Sequence, residues 1–349
     1  MPPKLNRPAP LLRPAAKPVD RSTPAGQAAE RLLRGEKLVV TDLYNTGTWI
    51  LAELEARLGP PAPDAGYPAR RAWRKAYGEV SRRLLAPIVG HRVDLREAPT
   101  IGFLRELYPE HRDFALPFVE LQDLDNAWNW YRDGVHLAVL GHRVHPFYGT
   151  YAPARVTHLE LFATWLSQYQ GRRARAIDVG TGCGVLALLL CKAGFARVRA
   201  TDINPNAIES VRRELARLPT APRLDLYLGD LLGDDRAPVD LVVFNPPWMQ
   251  GAIDSQLDQA LYFEEGLFER FFDQAHARLA PEGRIALVFS NLIELVQPDT
   301  AHPILAELRR GRFGLVQKLQ RKVRNPPGPT GQRGRSTRER VEIWELERK

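Results

Sequence analysis

The chain has 349 residues, 44% of them hydrophobic and 26% charged, with 49 basic against 41 acidic side chains and a formal charge of +8. Those proportions exclude disorder throughout, and the length allows two domains or one large domain with an extension. No apolar run approaches the roughly 18 residues that span a bilayer. The leading MPPKLNRPAPLLRPAAKP has no sustained apolar stretch after its charges, so a cytoplasmic protein without a membrane partner is expected. Cys183 and Cys191 are the only cysteines, too few for a disulfide framework or a four-ligand zinc site, and no metal is expected.

Residues 1–25 hold seven prolines, five basic residues and the single acid Asp20, without helical or alternating periodicity, and read as a disordered tail. From Gly26, the stretches AAERLLRGEKL, TWILAELEARLG and RRAWRKAYGEVSRRLLAPIV space apolar residues by three and four. A mainly helical domain over 26–145 follows. After it come an aromatic, Pro-rich turn and the helix VTHLELFATWLSQY.

Seven short apolar runs then alternate with helices: ARAIDVG, VRATDI, LDLYLGD, VDLVVFNPPW, RIALVFSN, FGLVQKLQRKV and RVEIWELER. Strands alternating with helices form a mostly parallel α/β sheet covered on both faces. The last two runs are joined by NPPGPTGQRGRST rather than by a helix, which predicts an antiparallel hairpin at one end of the sheet. The domain so defined spans 146–349.

Charge is concentrated late in the chain. From Arg309 to Arg338 there are ten basic residues and no acid, leaving −2 on all the rest. Such a segment, with Arg333, Arg335 and Arg338 near its end, is an electrostatic footprint for phosphate-bearing partners or else a solvated loop.

Four motifs carry chemistry. The first, Asp178-Val-Gly180-Thr-Gly182-Cys-Gly184, lies between a strand and the helix VLALLLCKAGF, where glycines let the backbone approach a ligand at the helix N-terminus. A dinucleotide fingerprint needs a third glycine where Val185 stands, so NAD is a poor fit. In the second, TDINPNAIE, Asp202 ends a strand and can take both ribose hydroxyls, with Asn204 close by. The third, LYLGDLL, places Asp230 where it accepts from an adenine amine or caps a helix. The fourth, Phe244-Asn245-Pro246-Pro247-Trp248, follows an apolar strand. Its prolines remove two donors and fix neighbouring carbonyls as acceptors, Asn245 adds an amide oxygen and Trp248 a flat ring. Acceptors beside a stacking surface suit a planar group bearing NH₂.

DVGTGCG, TDINPNAIE, LGDLL and FNPPW, in this order and spacing, resemble the motif series of class I S-adenosylmethionine-dependent methyltransferases, a Rossmann-like fold. Within these, the series is similar to the small-domain group that contains release-factor glutamine methyltransferases and exocyclic-amine nucleobase methyltransferases. The resemblance runs from Ala174 to Asn291, extends more weakly from His145 to the C-terminus, and does not cover residues 1 to about 140. It implies S-adenosylmethionine as cofactor, with Asp178, Gly180, Thr181, Gly182 and Gly184 along its methionine end, Asp202 and Asn204 at its ribose, and Asp230 and Leu231 beside its adenine. Asn245, Pro246, Pro247 and Trp248 would position the methyl acceptor, with Asn245 also near the cofactor. Relatives more often carry Tyr or Phe where this chain has Trp248, which leaves the acceptor open.

Phe147 to Arg155 stands where relatives cover the cofactor, so Tyr148 and Tyr151 either form a lid or pack at a boundary. His136, His142 and His145 lack thiols or carboxylates at metal-binding spacing. The expected activity is methyl transfer to a planar amide or amine nitrogen of a macromolecule: a protein glutamine or a nucleobase in RNA or DNA. A small-molecule methyltransferase and a non-catalytic nucleoside-binding module are the alternatives.

Overall fold

The structure is a computed structural model that describes residues 4–62, 65–153, 155–218, 223–252, 261–323 and 338–349. The chain divides into two compact units, one built on Arg7–Arg132 and the other on residues from Asp133 onward together with the leading segment through Asn6. The dividing point falls earlier than the expected 145/146. The hairpin of β6 (Val135–Leu137) and β7 (His142–Val144) explains this, because Leu137, Leu140 and Val144 are buried in the core of the second unit.

The first unit carries a sheet beside the expected helices. Helices α1 (Ala25–Leu33), α2 (Tyr44–Leu58), α3 (Tyr67–Ser81), α4 (Phe103–Leu107) and α5 (Phe118–Asp133) accompany a five-stranded sheet. Its strands are β1 (Lys17–Val19), β2 (Leu38–Val40), β3 (Leu84–Val89), β4 (Arg92–Val93) and β5 (Phe114–Pro117). The run LLAPIV, expected to continue a helix, instead forms β3. Five of its six residues are apolar, and Leu84, Leu85, Ala86 and Ile88 are buried, which a one-sided helix could not achieve. Residues 4–25 are likewise not a disordered tail: β1 pairs in parallel with β2, and Leu11 bridges Ala115.

The second unit holds a seven-stranded sheet in the order β10-β9-β8-β11-β14-β16-β15. These are β8 (Arg175–Val179), β9 (Arg197–Asp202), β10 (Leu224–Leu228), β11 (Val239–Phe244), β14 (Leu279–Ser290), β15 (Phe313–Lys322) and β16 (Arg340–Arg348), matching the seven runs read from the sequence. The short parallel pair β12 (Met249–Gln250) and β13 (Tyr262–Phe263) lies outside this sheet. Strands β8 to β14 run parallel, and β16 is antiparallel to both β14 and β15, as the expected hairpin requires.

Alternation along β11 sorts the core. Leu241 and Val243 pack with Ala176, Val198 and Ala200 toward α6 (Thr157–Gln168) and α7 (Val185–Lys192). Val242 and Phe244 pack on the other face with Phe268, Phe271 and Phe272 of α9 (Leu267–Arg278). Helix α7 is apolar all round because it is buried nearly all round. Its thiol neighbour Cys183 is pushed up to about 12 by burial and is chemically inert. Helix α8 (Pro205–Arg217) follows β9, while α10 (Leu292–Val296) and α11 (Pro303–Arg310) follow β14. Strand order reverses at β8, between β9 and β11, and ligands of open α/β sheets bind outside the strand ends at such a point. Among the described residues, no helix is long and apolar enough to cross a membrane.

Candidate active site at the carboxyl ends of the strands

The loop after β8 is braced from within. Asp178 is buried, and its Oδ2 accepts from the Thr181 hydroxyl at 2.7 Å and from the Ala187 amide at 3.0 Å. Its Oδ1 is buried without a hydrogen-bond partner among the described residues. Burial raises the Asp178 carboxyl to about 7 against the lowering effect of those two bonds.

The three glycines serve different ends, although all have positive φ (+63°, +56° and +84° for Gly180, Gly182 and Gly184). A Cβ on Gly184 would press on Val211 at 2.9 Å, whereas one on Gly182 would meet nothing within 4 Å. Gly184 is therefore fixed by packing. At Gly182 the backbone borders open space, which leaves room for a ligand to approach it.

Asp202, at the end of β9, lies against this loop. Its Oδ2 accepts from Gly182 N at 2.9 Å and its Oδ1 from Asn204 N at 2.8 Å. Burial raises this carboxyl above the ordinary range, opposed by backbone donors from Asn204, Gly182 and Ile203. Asp178, Thr181, Gly180, Gly182 and Asp202 thus come together as expected.

Asn204 does something else. Its Oδ1 caps α8 by accepting from Asn206 N at 3.0 Å and also accepts from Asn6 Nδ2 at 3.0 Å, while its Nδ2 donates to Gly149 O at 2.9 Å. An amide so committed has little left for a ribose. Asn206 and Asn6 were not foreseen. Asn206 Nδ2 donates to Tyr148 O and to Asn6 O, both at 2.8 Å, and Asn6 N donates to Asn206 Oδ1 at 2.7 Å. The N-P-N spacing was the available signal for Asn206, because the residue two after a helix cap has its side chain on the same turn.

The segment after β7 is stitched along α8. Phe147 N donates to Ser210 Oγ at 3.0 Å, His145 N to Glu214 Oε2 at 3.0 Å, and the Arg213 guanidinium lies 4.3 Å from the Phe147 ring centre. Tyr148 belongs to this strap through its carbonyl, whereas Tyr151 is exposed.

On the far side of β9, Asp230 is exposed and within 3.7 Å of Arg270. Leu231 adopts φ +47°, a strained conformation for a branched side chain, and its carbonyl accepts from the Thr201 hydroxyl at 2.5 Å.

Asn245 to Trp248 leave the end of β11, adjacent to β8. Trp248 Nε1 donates to Asn245 Oδ1 at 3.2 Å and to Val288 O at 3.3 Å. The Trp248 ring meets His158 of α6 edge-on, with centroids 6.0 Å apart and planes at 84°. Trp248 was expected to offer an open face; instead it is largely packed, and its N–H fixes the Asn245 amide. One lone pair of that oxygen is taken and one remains. His158, unforeseen because it comes from an element some ninety residues earlier, is held neutral by burial, which lowers it to about 4.

The basic segment is less free than its composition implied. Arg310 and Arg312 both pair with buried Glu307, Lys318 with buried Glu342, and Arg321 with Glu160. Arg333 and Arg335 lie outside the described residues. Among the described residues, no cluster of three or more His, Cys, Asp or Glu could hold a metal ion.

Residues 157–304 match the methyltransferase small domain family. A tRNA1(Val) (adenine(37)-N6)-methyltransferase of Parabacteroides distasonis is 30% identical over 154 residues, which is 41% of this chain and 64% of that protein. A ribosomal RNA small subunit methyltransferase C of Chromohalobacter salexigens is 35% identical over 168 residues, covering 47% of this chain and 46% of its own length. A release factor glutamine methyltransferase of Deinococcus radiodurans is 37% identical over 150 residues, covering 39% and 50%. The chain therefore spans about half to two thirds of the length of these relatives. Its segment 157–304 is thus similar to the methyltransferase small domain family and to methyltransferases of tRNA, ribosomal RNA and a release factor.

Proposed function

We propose that the protein is an S-adenosylmethionine-dependent N-methyltransferase acting on a planar amide or amine nitrogen of a macromolecule, with a nucleobase amine in RNA as the first candidate. The observation that carries this reading is the Asn245-Pro246-Pro247-Trp248 turn, held at the end of β11 beside the glycine loop of β8, with the free side of the Asn245 oxygen still able to accept. The relatives that act on tRNA adenine and on ribosomal RNA support the nucleobase, and the release factor methyltransferase supports a glutamine amide. Both acceptors present the same chemistry: an NH₂ whose lone pair is delocalised into a π-system.

The residues fit the cofactor. Open space over Gly182, the unpartnered Asp178 Oδ1 and the Asp202 carboxylate supply a backbone contact, a site for an ammonium and an acceptor for ribose hydroxyls. When bound, S-adenosylmethionine supplies a methyl group already activated on a sulfonium. No strong base is then needed from the protein. Asn245 Oδ1 and the Pro246 carbonyl accept from the substrate N–H groups, which turns the nitrogen lone pair out of conjugation and stabilises its developing positive charge. Alignment of this kind supplies up to roughly 7–11 kcal/mol of a barrier. The Trp248 N–H keeps the Asn245 oxygen in that orientation.

The test is incubation of the protein with methyl-labelled cofactor and with cell extract separated into protein, RNA, DNA and small molecules. Label on RNA or protein in an amide- or base-linked form is the expected result. Label confined to small molecules, or none in any fraction, contradicts it.

A further inference from the structure

A second concavity lies at the opposite end of the same strands. A cavity of about 630 Å³ is bordered by Arg175, Arg197, Arg199, Arg223 and Arg278, with Asp225 and Asp235 as its acids, an excess of three positive charges. That volume is within the range of small-ligand sites, roughly 300–1,000 Å³.

The sheet register explains the convergence. Arg175 is paired with Arg197, and Arg199 with Asp225, in a parallel sheet where registered neighbours point to one face. Arg278 arrives from the last turn of α9, which covers that face.

The charges are not balanced locally. Arg175, Arg199 and Arg278 all lean on the single carboxylate of Asp235, at 3.4, 3.6 and 3.9 Å, and Asp225 is engaged by Arg199 at 2.7 Å. Arg197 and Arg223 have no carboxylate partner among the described residues. Arg199 Nη1 is buried with the Asp235 carboxylate at 3.6 Å but no acceptor at hydrogen-bond distance, and the guanidinium lies 5.4 Å from the Tyr227 ring centre. Arg278 is held by the Ala237 and Leu232 carbonyls, while Arg197 and Arg223 are exposed to solvent at the rim, so an anion entering the concavity would meet free guanidinium forks, which match phosphate oxygens in pairs.

We propose that this cavity is a binding site for a compact polyphosphate, of the kind carried by a nucleoside di- or triphosphate, distinct from the methyl-transfer site at the other end of the strands. A concave pocket with cations on several sides suits a compact polyanion better than a nucleic-acid backbone, which needs an extended stripe of charge.

The test uses the full chain at about 150 mM salt, near physiological screening. Inorganic tripolyphosphate, ATP and a short RNA with a 5′-hydroxyl end are titrated calorimetrically into the parent, into Arg197→Ala/Arg223→Ala, and into Arg197→Lys/Arg223→Lys. Tripolyphosphate and ATP are expected to saturate the parent and to raise its melting temperature, since a ligand bound only by the folded state stabilises it. The alanine pair should weaken both about tenfold or more, and the lysine pair less, with S-adenosylhomocysteine binding unchanged in each. Absence of saturable tripolyphosphate binding, equal affinity in the alanine pair, or a loss seen for the RNA alone would overturn the proposal. Because S-adenosylhomocysteine is followed separately, failure here is distinguishable from failure of the methyltransferase reading.

Discussion

Trp248 donates its indole N–H to the side-chain oxygen of Asn245 at 3.2 Å, so the residue three places along the turn sets which way the Asn245 amide faces. No Tyr or Phe at that position can make this bond through the same ring atom. The departure from the commoner aromatic residue thus has a structural counterpart.

Replacing Trp248 by Phe keeps the aromatic packing against His158 but frees the amide. The variant also loses the bond to Val288 O, but the bond that orients the amide is one neutral hydrogen bond worth about 0.5–1.5 kcal/mol, so single-turnover methyl transfer should slow by about 2- to 13-fold. S-adenosylhomocysteine affinity, read by calorimetry, should stay at the parental value. A Trp248→Phe enzyme at full speed would show that the amide is oriented by other contacts.

Asp202→Ala removes an acceptor that joins the glycine loop to β9. S-adenosylhomocysteine binding should weaken by about 1.5–3 kcal/mol, the range for hydrogen bonds to a charged group. Circular dichroism of the unliganded variant should match the parent. Unchanged affinity would remove Asp202 from the ribose site.

In the proposed cofactor site, Asp178 is expected to make binding pH-dependent. Its carboxyl is raised to about 7 by burial, so the protonated form is populated below neutrality and the carboxylate above it. On the proposed reading, the carboxylate would attract the ligand's ammonium. Affinity for S-adenosylhomocysteine should therefore rise between pH 6 and 8 and level off above. In the unliganded protein the sign is opposite: the stability this group contributes is present below the ordinary carboxylate range and is lost as pH rises through about 7. Asp178→Asn should flatten the binding profile; a variant with the parental slope would assign the titration elsewhere.

Much of the second unit was legible because its signals are local. Each strand end carries its own chemistry within a few residues: glycines after Val179, Asp202 after Thr201, and Asn245 after Phe244. What stayed hidden depends on distant partners. Asn204 reads as a ribose contact until Asn6 and Gly149 are seen to occupy its amide, and Trp248 reads as an open ring until Val288 and His158 close around it. In the first unit, LLAPIV follows a genuine helix with only Arg82 and Arg83 between them, so helical periodicity was carried from Ser81 to Val89, past Pro87, which no helix interior accommodates well.

The central claim is that the Asn245 turn acts on a planar nitrogen in the transition state. Its most direct test is single-turnover methyl transfer by Asn245→Ala to the labelled acceptor fraction, with cofactor affinity measured on the same sample. Removing one preorganised polar contact should lower the rate about 100- to 1,000-fold while S-adenosylhomocysteine affinity changes only modestly. Transfer at the parental rate with the fold intact would contradict the account and leave the Asn-Pro-Pro-Trp turn a structural feature of β11.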